Sequence, residues 1–208
     1  MSTYSQMQSN IADKIVRTDL TTQIADEINR AINFYASDRF YFTQTTDTFS
    51  TVASQFAYSS SDSVATDIRD IDLLQITIST NNYIYPERIS FNELQSLNVS
   101  NPTGQPSVWA YHQQKIFLYP VPNAVWTVTM YYQKAYADLS SGSDTSDWTS
   151  GLPKDLIEQR TLKVMYSDWV KDDESAARAA ARELEIYNKL RMESEKLIST
   201  KRITPDYI

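Results

Sequence analysis

Cysteine is absent from this 208-residue chain, histidine occurs once and glycine only three times. Without cysteine there can be no disulfide and no thiolate metal site. With His112 as the sole histidine, no catalytic triad or dyad can draw on a second one, and zinc lacks its usual nitrogen and sulfur ligands. Three glycines cannot line a phosphate-cradling loop, and no GxxxxGK[ST] is present. No apolar run approaches the roughly 18 residues of a membrane span. The opening MSTYSQMQSN has neither the basic cap nor the apolar core of a signal peptide. The expectation is a non-enzymatic protein without cofactor, metal or membrane contact, made and assembled in a cytoplasm.

Two acidic clusters are what remains for chemistry. Asp67, Asp70 and Asp72 have the residue types to gather a calcium ion or to supply a glycosidase carboxylate pair. Asp172, Asp173 and Glu174 fit a helix break followed by negative charge at the next helix N-terminus. Both read as solvated charge. His112, at the tip of an expected hairpin, reads as an exposed polar residue.

Charge is also scarce in one sign. The formal net charge is −7, and residues 1–152 carry 8 Lys and Arg against 15 Asp and Glu, whereas residues 153–208 carry 11 against 11. An acidic front repels a phosphate backbone, whose binding rests on Lys and Arg releasing counterions. Direct gripping of nucleic acid is therefore disfavoured, and the acidity serves solubility.

What is present is pattern. Residues 3–17 make a short amphipathic helix with Met7, Ile11 and Ile15 on one face. A second helix over about 21–36 follows Asp19 as its cap, with Leu20, Ile24, Ile28, Ile32 and Tyr35 in one stripe. From Phe40 the period changes to two, predicting strands at about 40–44, 49–52 and 56–58, then a Ser-rich loop at 59–63 and another strand over 74–80. Ser90 with Glu93 three residues on is a capping box that opens a short helix over 91–97.

The centre of the chain is Gly104–Tyr132, GQPSVWAYHQQKIFLYPVPNAVWTVTMYY. Val108–Tyr111 and Lys115–Tyr119 alternate across a short polar break, so they fold back as a hairpin. The Pro120–Asn123 corner ends the second strand, because proline cannot donate to a ladder. In Val125–Tyr132, residues Trp126, Val128, Met130 and Tyr132 share one face. The pattern predicts a three-stranded meander within an all-β middle of about seven or eight strands. The hairpin tip is Gln113-Gln114, where a tight turn needs positive φ and favours glycine or asparagine.

Ser140–Gly151 is low in complexity and reads as a linker loop. Pro153 then sits in the first turn of a helix to about Lys171, and Glu174 opens a long helix to about Ser199. In that helix Ala177, Ala180, Ala181, Leu184, Tyr187 and Leu190 fall near helical spacing, and the small residues of 176–181 let another helix approach closely. Lys201–Ile208 has lost the helical period and reads as a tail. The fold class is therefore α+β: a helical base built from N-terminal and C-terminal helices, with an antiparallel β-sandwich-like insertion in the middle. The domain expectation is 1–38 for the N-terminal helices, 39–139 for the β-rich insertion, 140–152 for the linker, 153–200 for the C-terminal helices and 201–208 for the tail.

Several stretches together carry a resemblance. Arg39-Phe40-Tyr41-Phe42 directly follows an amphipathic helix, with Tyr58 beyond; ISFNELQSL (89–97) stands before Gly104-x-Pro106; and Tyr119-Pro120-x-Pro122-Asn123 leads into a strand closing on Tyr131-Tyr132. The chain resembles the head-to-tail adaptor (connector) proteins of tailed bacteriophages, of the tail accessory factor type found in short-tailed phages. The likeness covers roughly residues 20–140 and, more loosely, the C-terminal helices. It implies a structural virion protein at the portal vertex, forming a ring of twelve copies under the portal protein. That ring extends the channel through which genomic DNA passes without sequence-specific binding, and offers a docking surface to a tail nozzle or tail tube protein. It also implies that a C-terminal segment docks on the portal. Here Lys201, Arg202, Ile203, Tyr207 and Ile208 are the candidates.

The aromatics leave a second reading open. Trp109, Tyr111, Trp126 and Tyr131 gather on the central sheet, where they can fill a core, anchor a tail or subunit contact, or stack sugar rings. The last option makes the chain a β-sandwich carbohydrate- or receptor-binding module of a phage tail.

Overall fold

A computed structural model describes residues 2–198. In chain order the elements are helices α1 (Tyr4–Ile15) and α2 (Thr21–Tyr35), strands β1 (Gln44–Ser50), β2 (Ala57–Tyr58), β3 (Ile68–Ser79), β4 (Asn82–Ile84) and β5 (Glu87–Arg88), and helix α3 (Phe91–Leu97). Then come β6 (Thr103–Gly104), β7 (Val108–His112), β8 (Lys115–Tyr119), β9 (Val121–Pro122) and β10 (Thr127–Lys134), and finally α4 (Gly151–Val164) and α5 (Asp173–Ile198). The class is α+β, with helices at both ends and the sheets between them. The chain divides into two compact units: a helical one from residues 2–43 with 136–198, and a β one from 44–135.

In the helical unit Thr3 caps α1 in a reciprocal box with Gln6, and Tyr4, Met7, Ile11 and Ile15 bury one face. The α2 stripe is Ile24, Ile28, Ala31, Ile32 and Tyr35. Helix α4 starts with Pro153 in its first turn and buries Leu156, Ile157 and Leu162. It runs into one wide π turn at Met165–Val170, which closes on Lys171 in the left-handed region. Asp172 then caps α5, its carboxylate accepting the Ser175 N–H at 3.0 Å.

The Ser-rich stretch expected to be a linker is part of this unit. The N–H groups of Ser2, Tyr4 and Ser5 donate to the carbonyls of Thr149, Asp144 and Gly142. Trp148 is fully buried, with Phe40, Phe42 and Tyr136 against its ring edge-on. Low complexity hid one large anchor among small residues.

The β unit is two four-stranded sheets face to face. One has the order β1-β10-β3-β4 and the other β2-β8-β7-β5, with a separate β6-β9 pair. Pairing is antiparallel except for β5 with β7 and β6 with β9. Between the sheets lie Phe49, Ile71, Leu74, Ile76, Val128, Met130 and Tyr132 from the first and Tyr58, Trp109, Ile116 and Leu118 from the second.

Three readings of this region change. The meander is not one: β7 and β8 form the hairpin, but β10 lies between β1 and β3 in the other sheet. Pro120 interrupts the ladder and Val121–Pro122 pairs with β6, so the chain leaves its sheet at that corner. The expected strands at 40–44 and 49–52 are one strand, 44–50, preceded by a 3₁₀ turn at Tyr41–Thr43, because Phe40 is held in the helical core. The strand expected over 74–80 starts already at Ile68, so Asp70 and Asp72 lie on β3, where an extra residue at the Ile71–Leu73 bulge breaks the period of two.

The hairpin tip keeps the tight-turn geometry without the usual residues. His112 pairs with Lys115, and Gln113 and Gln114 both have positive φ, 49° and 59°. This is a two-residue primed turn built from glutamines.

Candidate functional site

The most distinctive surface of the helical unit is along α5, which has something to offer on both sides. Its inward side is Ala179, Glu183, Leu190 and Ser194, all buried. Glu183 is the informative member. It accepts hydrogen bonds from the Tyr35 hydroxyl, from Arg160 at 2.9 Å and from Lys163 at 3.1 Å. Burial on its own raises a carboxyl pKa, but here these three donors outweigh it and hold Glu183 below its ordinary value. Burial and the facing Glu183 carboxylate push the Tyr35 hydroxyl up. Arg160 also lies over Phe34, its Cζ 3.3 Å from the ring centre.

Ala177, Ala181 and Leu184 lie on the outward side, and Leu184 is 61% exposed. The stripe read from the sequence is therefore split. Leu190 is buried, Ala180 and Tyr187 are half-buried, and the remaining three face solvent. Periodicity counts Glu183 as polar and turns the helix away from it. Three donors make its burial tolerable, and the helix packs about 100° round from the expected face.

Beside the outward side runs a groove. A cavity of about 510 Å³ is lined by Phe34 and Tyr35 of α2, Arg160 and Lys163 of α4, and Ala180 and Leu184 of α5. A second hollow of about 730 Å³ shares Asp38 and Tyr187 with it and continues to Arg191 and Glu195. Phe34, which lines the first cavity, is 56% exposed. A groove with an aromatic wall, small residues and a helix-long reach suits a helix or an extended segment of another chain.

The aromatic candidates fare differently from one another. Trp109 is buried between the sheets with Arg88 above its ring, and so has no surface to present. Tyr111 and Trp126 are half-buried against the same core. Tyr131 alone is open, on the outer face of the first sheet, where its hydroxyl meets Gln75 at 3.2 Å. Alternation finds a face but cannot say which side another sheet will cover. The docking candidates Lys201, Arg202, Ile203, Tyr207 and Ile208 lie outside the described residues.

The acidic clusters do not converge. Asp67 accepts the Tyr132 hydroxyl at 2.9 Å and Asp70 pairs with Arg88 at 2.8 Å. Among the described residues no group of three His, Cys, Asp or Glu is placed to hold a metal ion. His112 is exposed and stacks on Phe91 with ring centres 4.3 Å apart.

A family model, the SU10 adaptor protein, matches residues 2–203. The chain belongs to that family. Its members are phage head-to-tail adaptors, so the chain is a phage adaptor protein, a structural component of the virion with portal and tail components as its general partners. The match spans both units, so the β unit and the α5 face are parts of one adaptor. No curated protein matches the chain. No helix among the described residues is long and apolar enough to cross a membrane.

Proposed function

We propose that this chain forms a ring of twelve copies beneath the portal, extends the DNA channel and presents a docking surface to a tail nozzle or tail tube protein. The observation that carries the reading is the family match over residues 2–203. The outward side of α5 and its groove are the contact between neighbouring copies. Leu184 and Phe34 are the apolar anchors and Ala177 and Ala181 the points of close approach. A cyclic ring needs one such contact repeated at every interface. Lys201, Arg202, Ile203, Tyr207 and Ile208 reach the portal, and genomic DNA passes the acidic front part of the chain without being held.

The test is the mass of a complex. The full chain is mixed with the portal ring encoded near it and run on size exclusion with light scattering. As many copies of this chain as portal subunits supports the reading, and no complex between two folded partners overturns it. Removing Thr200–Ile208 abolishes portal binding and leaves the protomer folded; unchanged binding overturns the role of the tail.

A further inference from the structure

The outer face of the first sheet is set apart by its charge. The ladder registers put Thr46, Tyr131 and Leu73 on one rung, Thr48, Thr129 and Gln75 on the next, and Ser50, Thr127, Thr77 and Tyr83 on a third. The rung between the last two, Phe49, Val128, Ile76 and Ile84, points the other way into the core, which fixes the ten as outward. They are exposed or half-exposed, and none is charged in a chain that is 22% charged. All but Leu73 end in a hydroxyl or an amide.

We propose that this face binds a neutral oligosaccharide. Three properties select that class. Nine hydrogen-bonding side chains laid on one sheet face lose water on contact, and all but the Tyr131 hydroxyl, which Gln75 already accepts, then need a partner. A sugar chain carries hydroxyls at matching density, whereas a protein surface leaves most of the nine unmatched. Tyr131, on β10 in the first rung, and Tyr83, at the β4 end of the third, have exposed rings, the platforms on which pyranose faces stack. The lack of charge, on a chain of net charge −7, favours a neutral ligand over an anionic one.

Area argues the same way. Three rungs, of which only the third reaches the fourth strand, cover at most about 14 by 19 Å, roughly a third of the ~800 Å² per partner of a standard protein interface. A stable dimer needs more than this face; a few sugar rings need no more. The threonines are β-branched and stiff at χ1, and the Tyr131 hydroxyl is already held by Gln75, so little side-chain freedom is lost on binding. The proposal is independent of the ring.

The experiment is amide chemical-shift mapping on the full chain with neutral hexasaccharides of glucose in its α and β linkages and of N-acetylglucosamine. At least one moves amides on β1, β3, β4 and β10 and no others. A Tyr83→Ala/Tyr131→Ala double variant, folded by its unchanged core resonances, binds at least about tenfold more weakly, and Thr129→Asp does the same by adding charge at the centre. Three results overturn the proposal: no shift on this face from any of the sugars, shifts confined elsewhere, or a double variant that binds like the parent. Shifts of the same amides that track protein concentration without sugar also overturn it, by assigning the face to another copy.

Discussion

The two units treat charge in opposite ways. The helical unit buries it: Glu183 sits under Tyr35, Arg160 and Lys163, and Glu158 under Lys14 at 2.7 Å and Lys154 at 3.5 Å. The β unit packs its sheets together on apolar and aromatic residues and, among the described residues, buries no charged side chain. A helix bundle meets its neighbours through long side chains that can carry a charge inward and satisfy it there. The two sheets here fill the space of about 10 Å between them with large apolar side chains such as Trp109, Met130 and Tyr132, which leaves no room for an ion with its partners. The helical unit should therefore respond to acid and to loss of a single partner, and the β unit to changes in shape.

The largest expected break is in the helical unit. Trp148→Ala removes the ring that Phe40, Phe42 and Tyr136 pack around, at a cost of about 3–5 kcal/mol. Hydrogen exchange should speed over 4–43 and 136–198 before it does over 44–135. Next, Glu183→Ala leaves Arg160 and Lys163 facing an empty buried site. Lys163 is partly exposed and recovers some hydration, so the loss in a denaturant titration is about 2–4 kcal/mol.

The pH dependence sharpens the same contrast. Hydrogen bonds from Tyr35, Arg160 and Lys163 outweigh burial and depress the folded pKa of Glu183 below its unfolded value. Its contribution is thus complete above the unfolded value, about 4.3, and lost as pH falls through the folded one. Melting between pH 7 and 3 should lose stability below about pH 5, and Glu183→Gln should flatten that loss. An identical acid limb in the variant would refute the assignment.

Smaller effects come from the β unit and the surface. Gln113→Asn with Gln114→Gly suits the positive φ at both positions and should stabilise by about 1 kcal/mol. Leu184→Glu should change protomer stability by less than about 0.5 kcal/mol, because the side chain is exposed. The same change should abolish assembly on the portal if α5 joins the copies; assembly at full stoichiometry would remove α5 from the interface.

Much of this was legible in the residues. The stripes at Met7–Ile11–Ile15 and Ile24–Ile28–Ile32 are buried as read, the Asp172 break caps the last helix, and Val128, Met130 and Tyr132 share the inner face of their strand. Local pattern carries these because each depends only on the period of its own element. Family resemblance was legible too, from short motifs around Tyr41, Gly104 and Pro120, and the family match spans nearly the whole chain.

Partnership was not legible. The period of β10 shows which of its faces is apolar, but not that β1 and β3 flank it in preference to β8. Trp109 and Tyr131 look alike as sheet aromatics, and only the covering sheet makes one core and the other surface. Glu183 reads as polar and faces inward, because three donors from two other helices meet it there. Period and caps are short-range properties written into consecutive residues. Neighbours, burial and charge compensation depend on residues far apart in the chain, and they exist only once the fold has brought those residues together.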